Sequence, residues 1–210
     1  WNDVFMEYYK NDKGEYAKAK QKNVDTGMGL ERTVAALNNF PDAYQADTML
    51  PIIKKIAELS GKKYSESEEI TKSMRIIADH LRAAAIIIGD PRGVAPSNVD
   101  QGYIVRRLIR RAVRKGRQLG IKNYFCAQVA EVVIDIFKNI YSEMENNSGF
   151  ILREMQNEEE KFGKTLEQGL KEFNRFATLK NISGKEAFNL FSTYGFPLEM
   201  TQELAVEGGF

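Results

Sequence analysis

Apolar residues recur at helical spacing through most of this chain, and this pattern constrains its fold more than any other feature. In the segment Met49–Ser60, apolar residues stand three or four positions apart, which places them on one face of a helix. The same spacing predicts further helices over residues 74–88, 103–116, 124–141, 149–179 and 185–194. The sequence therefore predicts a mainly helical protein.

The first 45 residues follow a different pattern. Residues 1–9 are rich in aromatic and β-branched side chains, which favours a strand, and we expect a second extended segment over residues 16–25. A polar cluster that ends at Gly14 separates the two segments. This is the composition of a hairpin. A bend at Gly27 and Gly29 then leads into a helix over residues 30–39. We expect an α+β fold that is mainly α, with one domain over residues 1–45 and a helical domain over residues 46–210.

Composition excludes several classes of protein. The 43% hydrophobic content and the net charge of +1 do not fit a disordered chain. A single cysteine, Cys126, excludes a disulfide framework and a Cys-rich zinc site, and its apolar flanks predict a buried thiol. No apolar run approaches the roughly 20 residues of a membrane helix. We expect a cytoplasmic protein without a membrane partner, and we interpret both termini as cut from a longer chain.

One predicted helix carries a dense run of basic residues with no acidic residue among them: Arg106, Arg107, Arg110, Arg111, Arg114, Lys115 and Arg117. Arg106, Arg110 and Arg114 stand four apart, so they lie on one ridge and repel one another. This arrangement predicts an anionic partner, and phosphate backbone suits the guanidinium fork. Two alternatives stay open. Some of the arginines pair with carboxylates of the fold, such as those of residues 158–160, or the helix binds acidic protein partners.

The bend between the second strand and its helix is a candidate ligand site. Gly27 and Gly29 allow a ligand to approach the backbone, and the following helix start suits phosphate. Arg32 adds a cation on the first turn, and Asp25 offers a fixed charge for an ammonium group. The alternative is an ordinary turn. A dinucleotide fingerprint does not fit, because its third glycine is replaced by Arg32.

Two further polar residues, Asn98 and His80, lie outside these segments and are considered for a functional role. Asn98 lies in a loop before the basic helix, where it could read the minor-groove edge of an RNA base pair or, with Ser97, simply cap the helix. His80, the one histidine, follows Asp79 in a predicted helix. Because no second His or Cys lies one turn away, we interpret His80 as structural.

Four stretches resemble a known family. Gly27-Met-Gly-Leu-Glu-Arg32 resembles motif 3 of class II aminoacyl-tRNA synthetases, and the longer string from Val24, with Trp1-Asn-x-Val-Phe-Met6 before it, resembles the alanine-specific members. The segment from Gly102 to Arg114 resembles the signature helix of their tRNA-recognition domain. Pro96-Ser-Asn98 also resembles the family pattern.

The resemblance implies a fold, in which the end of a class II antiparallel-sheet catalytic domain precedes a helical tRNA-recognition domain. It implies that the whole enzyme activates alanine with ATP and Mg²⁺ and transfers it to tRNA(Ala), and that no zinc is bound in this part. The implied ligands are alanine at Asp25 and Gly27, and ATP at Asn2, Gly29 and Arg32. The arginines of the basic helix, namely Arg106, Arg107, Arg110, Arg111 and Arg114, are expected to bind the tRNA acceptor stem.

In the same family Asn98 helps to identify a G·U wobble pair of the acceptor stem, together with an aspartate from a Tyr-Asp-Thr-Tyr-Gly-Phe-Pro stretch. Here that stretch reads Phe191-Ser-Thr-Tyr-Gly-Phe-Pro197, with Ser192 in place of the aspartate. A serine hydroxyl can still bond to the pair, without charge. Motifs that the family places upstream are missing from these residues, so we expect no tRNA charging by them alone. The alternative function is a non-catalytic helical RNA-binding module.

Overall fold

The computed structural model of the chain describes residues 2–177 and 182–209, and it divides into two compact units at Leu50 and Pro51. Each unit is taken by itself below. The predicted α+β, mainly α, fold is confirmed: one two-stranded antiparallel sheet is followed almost entirely by helices. The contact boundary lies a few residues beyond the boundary that the sequence suggested.

The first unit is built on a hairpin. Strand β1 (Asn2–Lys10) pairs with β2 (Tyr16–Gly27), and the Asn11 side chain closes the turn by accepting the backbone N–H groups of Lys13 and Glu15. Gly14, with φ of 82°, takes the left-handed conformation that the turn needs. Helix α1 (Leu30–Leu37) and a short 3₁₀ helix (Ala43–Gln45) complete the unit.

The second unit is an array of helices. They are α2 (Leu50–Ser60), α3 (Glu68–Gly89), α4 (Asp100–Gln118), α5 (Cys126–Phe137), α6 (Ser142–Asn146), α7 (Ser148–Ala177), α8 (Gly184–Tyr194) and α9 (Leu198–Glu207). Helix α2 begins in the first unit at Leu50, and α3 packs along α4, while α5 and α4 both pack on α7. Of the predicted helix over residues 124–141 only Cys126–Phe137 is helical, as α5, and the short helix α6 that begins at Ser142 was not predicted. Helix α9 was not predicted either. The end of the predicted helix at residues 178–179 lies outside the described residues.

Apolar residues of α3, α4, α5 and α7 form the core of this unit. Met74, Ile77 and Leu81 of α3 and Val105 and Ile109 of α4 have no exposed surface, as the helical spacing of apolar residues predicted. The Cys126 thiol is buried, and burial raises its pKa well above the usual value. Among the described residues, no helix is both long and apolar enough to cross a membrane.

Candidate nucleic-acid interface

Helix α4 buries much of its basic face. Arg114 is 2% exposed, Lys115 5% and Arg110 8%, whereas Arg107 and Arg111 remain partly exposed. This favours the alternative that the sequence left open, in which arginines of the ridge pair with carboxylates of the fold. The reason is that α7 and α9 pack over this side of α4 and supply carboxylates to it, so each of these guanidinium groups has an internal partner.

Helix α9 supplies three glutamates at a spacing of four residues, which places them on one ridge. Glu199 pairs with Arg107 at 2.5 Å, and Glu203 pairs with Arg111 at 2.5 Å. Glu207 pairs with Arg114 and with Lys115, the latter at 2.9 Å. Burial raises the pKa of Glu207, but the bond from Lys115 and the charge of Arg114 outweigh it, so that the pKa lies below its usual value.

Helix α7 supplies Glu158, which is 2% exposed and lies between two arginines. Its Oε1 atom is 2.6 Å from Nε of Arg110 and 3.4 Å from Nε of Arg106. Together, the glutamates of α7 and α9 relieve the like-charge repulsion along α4 from within the protein. The alternative of internal pairing therefore holds for all five arginines between Arg106 and Arg114, and their repulsion does not itself require an external anion.

Asn98 and Ser192, far apart in the sequence, line one cleft of about 570 Å³ between the start of α4 and the end of α8. The Asn98 side chain is exposed and accepts a hydrogen bond from Nη1 of Arg106. The alternative in which Ser97 and Asn98 cap α4 is wrong, because the residue at the N-cap is Val99 and no side chain caps the helix. Ser97 instead bonds to the backbone of Val99.

The cleft contains one cation that the sequence analysis missed. Lys161 of α7 is exposed, lines the cleft and forms no ion pair with another described residue. It stands one turn after Glu158, so the two residues share a face of α7. In the sequence, the one signal for this site was a lysine three positions after Glu158. That Lys161 lines the cleft depends on the packing of α7 beside α8, which the sequence does not reveal.

The wall of the cleft that carries Ser192 is held by a left-handed residue, Gly195, which has φ of 70° and ends α8. Its carbonyl accepts a hydrogen bond from Nη1 of Arg110, and the preceding carbonyl, of Tyr194, accepts one from Thr165 of α7 at 2.9 Å. The following residue, Phe196, is fully buried against Phe162, with ring centroids 5.8 Å apart. Arg110 lines the cleft, but it is 8% exposed and its guanidinium is bonded internally, so it contributes mainly to the shape of the cleft.

His80 of α3 contacts the same network. Its Nε2 atom is 2.9 Å from Nη1 of Arg111, and because a guanidinium can only donate, Nε2 must be the acceptor. Burial, then the charges of Arg111 and Arg107, lower the pKa of His80 to about 4. His80 is therefore neutral at pH 7 and structural in this arrangement, as its sequence context predicted.

In the first unit, the strand register brings together three of the candidate ligand residues. Asn2 pairs with Gly27, and Val4 pairs with Asp25, so Asn2, Asp25 and Gly27 lie on one face of the hairpin at its open end. A Cβ atom at Gly27 would meet nothing within 4 Å, and the nearest atoms to one at Gly29 belong to the Arg32 side chain, at 3.6 Å. No packed side chain of this unit fills the bend, so backbone there is accessible to a ligand.

Helix α1 begins directly after this bend. Gly29 is its N-cap residue, and no side chain caps the helix. Arg32 lies on the first turn and is exposed. The unit therefore offers uncapped backbone N–H groups and one cation beside an open glycine corner, which is the arrangement that an anionic ligand such as a phosphate requires.

Known proteins with similar sequences identify the family to which the chain belongs. The family model of class II (A) tRNA synthetases matches residues 1–210, so the chain belongs to the class II tRNA synthetases. Over its whole length it is 48% identical to the alanine–tRNA ligase of Borreliella afzelii and 49% identical to that of Treponema denticola. It is 43% identical to the alanine–tRNA ligase of Natranaerobius thermophilus.

The chain is shorter than these relatives. It spans 36% of the length of the Borreliella and Treponema proteins and 24% of the Natranaerobius protein.

Proposed function

We propose that these residues belong to an alanine–tRNA ligase, which activates alanine with ATP and transfers the alanyl group to tRNA(Ala) in the cytoplasm. The single observation that carries the RNA part of this proposal is the meeting of Asn98 and Ser192 in one cleft beside Lys161. The similarity to alanine–tRNA ligases over the entire chain supports the ligase part.

The first unit would contribute to the activation of alanine. Arg32 would contact ATP by charge-assisted hydrogen bonds, Asn2 and Gly29 would line the same site, and Asp25 with Gly27 would hold the ammonium group of alanine. The open corner at Gly27 fits this assignment, since a Cβ there would occupy free space that a ligand can use. Bound Mg²⁺ would neutralise phosphate charge.

The second unit would bind the acceptor stem. Asn98, Ser192 and Lys161 line the cleft and are exposed, so they can touch RNA directly. Arg107 and Arg111, about one third exposed, are placed to add phosphate contacts at the edge of α4. Because Arg110 and Arg114 are buried in ion pairs, we revise their roles: Arg110 would position the wall of the cleft at Gly195, and Arg114 would hold α9 against α4.

The cleft would read a G·U wobble pair from the minor groove, which in RNA is wide and shallow enough for side chains to enter. Ser192 would take the place of the aspartate that the family has in its Tyr-Asp-Thr-Tyr-Gly-Phe-Pro stretch. Its hydroxyl can accept a hydrogen bond, but without the added strength of a charge.

The RNA assignment is tested with the full-length protein and the variant Lys161→Met. We expect the affinity for an acceptor-stem minihelix to fall by about threefold to tenfold, as one phosphate contact is lost, and the salt dependence to become shallower by about one counterion. Lys164→Met, on the same helix but outside the cleft, is the matched control. Equal affinities for the two variants would contradict the assignment.

The nucleotide assignment is tested by alanine-dependent ATP–pyrophosphate exchange. In the full-length protein, Arg32→Ala should lower the exchange rate by about a hundredfold, because a cation on the reacting nucleotide is removed. Asp12→Asn, in the hairpin turn, should leave it unchanged. The 210 residues expressed by themselves should show no exchange, and a rate above background would contradict the proposed division of labour.

A further inference from the structure

The half of the hairpin nearest its turn carries a face of tyrosines and lysines. The strand register pairs Tyr8 with Lys18 and Lys10 with Tyr16, and directly paired residues of an antiparallel sheet lie on the same face. Residues 8 and 10, like residues 16 and 18, are two positions apart, so all four side chains share one face. We name this surface the tyrosine–lysine face.

Both aromatic rings of the tyrosine–lysine face are open to solvent. Tyr16 is 76% exposed and Tyr8 is 58% exposed, so neither ring belongs to the core of the first unit. An exposed ring offers its flat surface to another planar group, and every nucleobase has such a surface. Base stacking is therefore a use that fits both rings.

The lysines of this face have little compensating charge. Lys10 is exposed and forms no ion pair with another residue in the described part of the chain. Nζ of Lys18 lies 3.8 Å from Oε1 of Glu7, but the same oxygen is 3.4 Å from Nζ of Lys22, so one carboxylate is shared by two lysines. Both lysine side chains are at least 70% exposed, and solvent screens such pairs strongly. The face therefore presents positive charge to a ligand.

A third exposed lysine lies next to this face, in an irregular part of β2. The pairs Tyr8–Lys18 and Met6–Asn23 enclose one residue on β1 but four, residues 19–22, on β2. Such a bulge leaves backbone groups without partners in the ladder and bends the strand. Lys20 lies within it and is exposed, so it adds a cation and free backbone donors beside the paired lysines.

Protection of a sheet edge explains only part of this surface. Among the described residues, β2 pairs with β1 alone, and lysines on such an edge suppress pairing with other chains. That role does not require exposed aromatic rings on the same face. An acidic protein would also contact the lysines, whereas a nucleic acid uses both groups, since its bases stack on rings and its phosphates attract ammonium groups.

We propose that the tyrosine–lysine face binds single-stranded RNA, with bases stacked on Tyr8 and Tyr16 and phosphates at Lys10 and Lys18. Each ring has a lysine directly opposite, with Cβ atoms about 5 Å apart, so a stacked base has its own phosphate within reach of an ammonium group. In a duplex the bases stack on one another, and their flat surfaces are not available to the tyrosines.

This site goes beyond the proposed function and does not overlap the residues assigned to it. Tyr8 is six residues from Asn2 along β1, which corresponds to about 20 Å, so the face is separate from the open corner at Gly27. The cleft that Asn98 and Ser192 line belongs to the second unit. The face can therefore be tested independently of both.

Stacking is tested with the full-length protein and a fluorescently labelled 12-nucleotide oligouridylate. Tyr8→Ala and Tyr16→Ala should each weaken binding by about tenfold, because one stacked base is lost. Tyr16→Phe keeps the ring and should retain the affinity. Tyr9→Ala is the matched control, since Tyr9 is an exposed tyrosine of the same strand that pairs with Ala17 on the other face. A loss in Tyr9→Ala or Tyr16→Phe equal to that in Tyr16→Ala would overturn the proposal.

The phosphate contacts are tested by the dependence of oligouridylate affinity on salt. Lys10→Met and Lys18→Met should each make the slope of log affinity against log salt shallower by about 0.7, the contribution of one phosphate of a single strand. Lys54→Met, at an exposed position of α2, is the charge-matched control. An unchanged slope in both hairpin variants would contradict the phosphate contacts.

A blunt-ended acceptor-stem minihelix, which has no unpaired end, separates this proposal from the proposed function. Tyr8→Ala and Tyr16→Ala should bind it as the unaltered protein does, whereas Lys161→Met should weaken its binding and leave oligouridylate binding unchanged. If the unaltered protein does not bind oligouridylate, or if the tyrosine variants lose affinity for both RNAs equally, the single-strand site fails. If Lys161→Met binds the minihelix normally, the RNA part of the proposed function fails and the tyrosine–lysine face is unaffected.

Discussion

The Glu159 carboxylate of α7 accepts the backbone N–H of Cys126, the first residue of α5, at 2.8 Å. The N–H of Phe125 also bonds to this carboxylate, at 3.0 and 3.1 Å. Helix α5 has no cap from its own N-cap side chain. A side chain more than thirty residues away in the sequence therefore supplies the negative charge that a helix start favours.

Replacing Glu159 by glutamine should destabilise the protein. The substituted amide keeps one acceptor oxygen, but it loses the negative charge and places an NH₂ donor where the other oxygen faces the Phe125 N–H, and we expect the free energy of unfolding to fall by about 1–3 kcal/mol. Urea unfolding of the two proteins measures the difference. Glu160→Gln is the control, because Glu160 only accepts a local bond from Gln156, and a loss there as large as that for Glu159 would contradict this explanation.

The carboxylates of α9 should differ in their contributions to stability. Glu207 faces Arg114, which is 2% exposed, whereas the Glu199–Arg107 pair has both side chains more than a third exposed. Glu207→Gln should lower the free energy of unfolding by about 1–2 kcal/mol, and Glu199→Gln by less than about 1 kcal/mol, because solvent screens the exposed pair. Urea unfolding at a fixed salt concentration ranks them. A larger loss in Glu199→Gln would be inconsistent with the burial of Arg114.

His80 should make stability depend on pH. Its folded pKa of about 4 lies below the ordinary 6.5, so the unfolded chain binds a proton first as the pH falls. Its contribution is complete above pH 6.5 and decreases down to about pH 4, by on the order of 2–3 kcal/mol in total. His80→Gln keeps an acceptor for Arg111 and should remove this component. If the free energies of unfolding of the two proteins changed by the same amount between pH 7 and pH 4, His80 would not titrate as described.

Gly195→Ala should distort the cleft. The residue has φ of 70°, and a Cβ atom there would collide with the guanidinium of Arg110. We expect a loss of about 1–2 kcal/mol in the free energy of unfolding, accompanied by weaker minihelix binding. Gly184→Ala, at the start of the same helix, meets nothing within 4 Å and should be neutral or stabilising. If the two variants were equally stable, Gly195→Ala would cause no backbone strain and this prediction would be refuted.

The elements that depend on local patterns were predictable. The hairpin followed from two extended segments around Gly14, and most helices of the second unit followed from apolar residues at helical spacing. Helix α9 was missed because its apolar residues show a weak periodicity and its start carries no side-chain cap. Its three glutamates are spaced four residues apart, as are Arg107 and Arg111 of α4, so the two sets can form ion pairs. The sequence does not show that these two helices pack together.

The candidate site was predictable in part. Asn98 and Ser192 were selected by resemblance, and the structure brings them into one cleft. The state of the arginines was not predictable, because burial of Arg110 and Arg114 depends on tertiary packing with α7 and α9. The inference from charge repulsion was sound in requiring anions near α4, and glutamates of α7 and α9 supply carboxylates there. RNA binding by the arginines of α4 stays a prediction.

The pairing of α4 with the glutamates of α7 and α9 has a consequence for how a polyanion would approach. Charges that are neutralised within a few ångströms produce little potential beyond a Debye length of about 10 Å. A chain with a net charge of +1 would therefore exert little long-range attraction on RNA from this surface. Encounter would be governed mainly by diffusion and shape, and selectivity would arise only once the two surfaces are in contact.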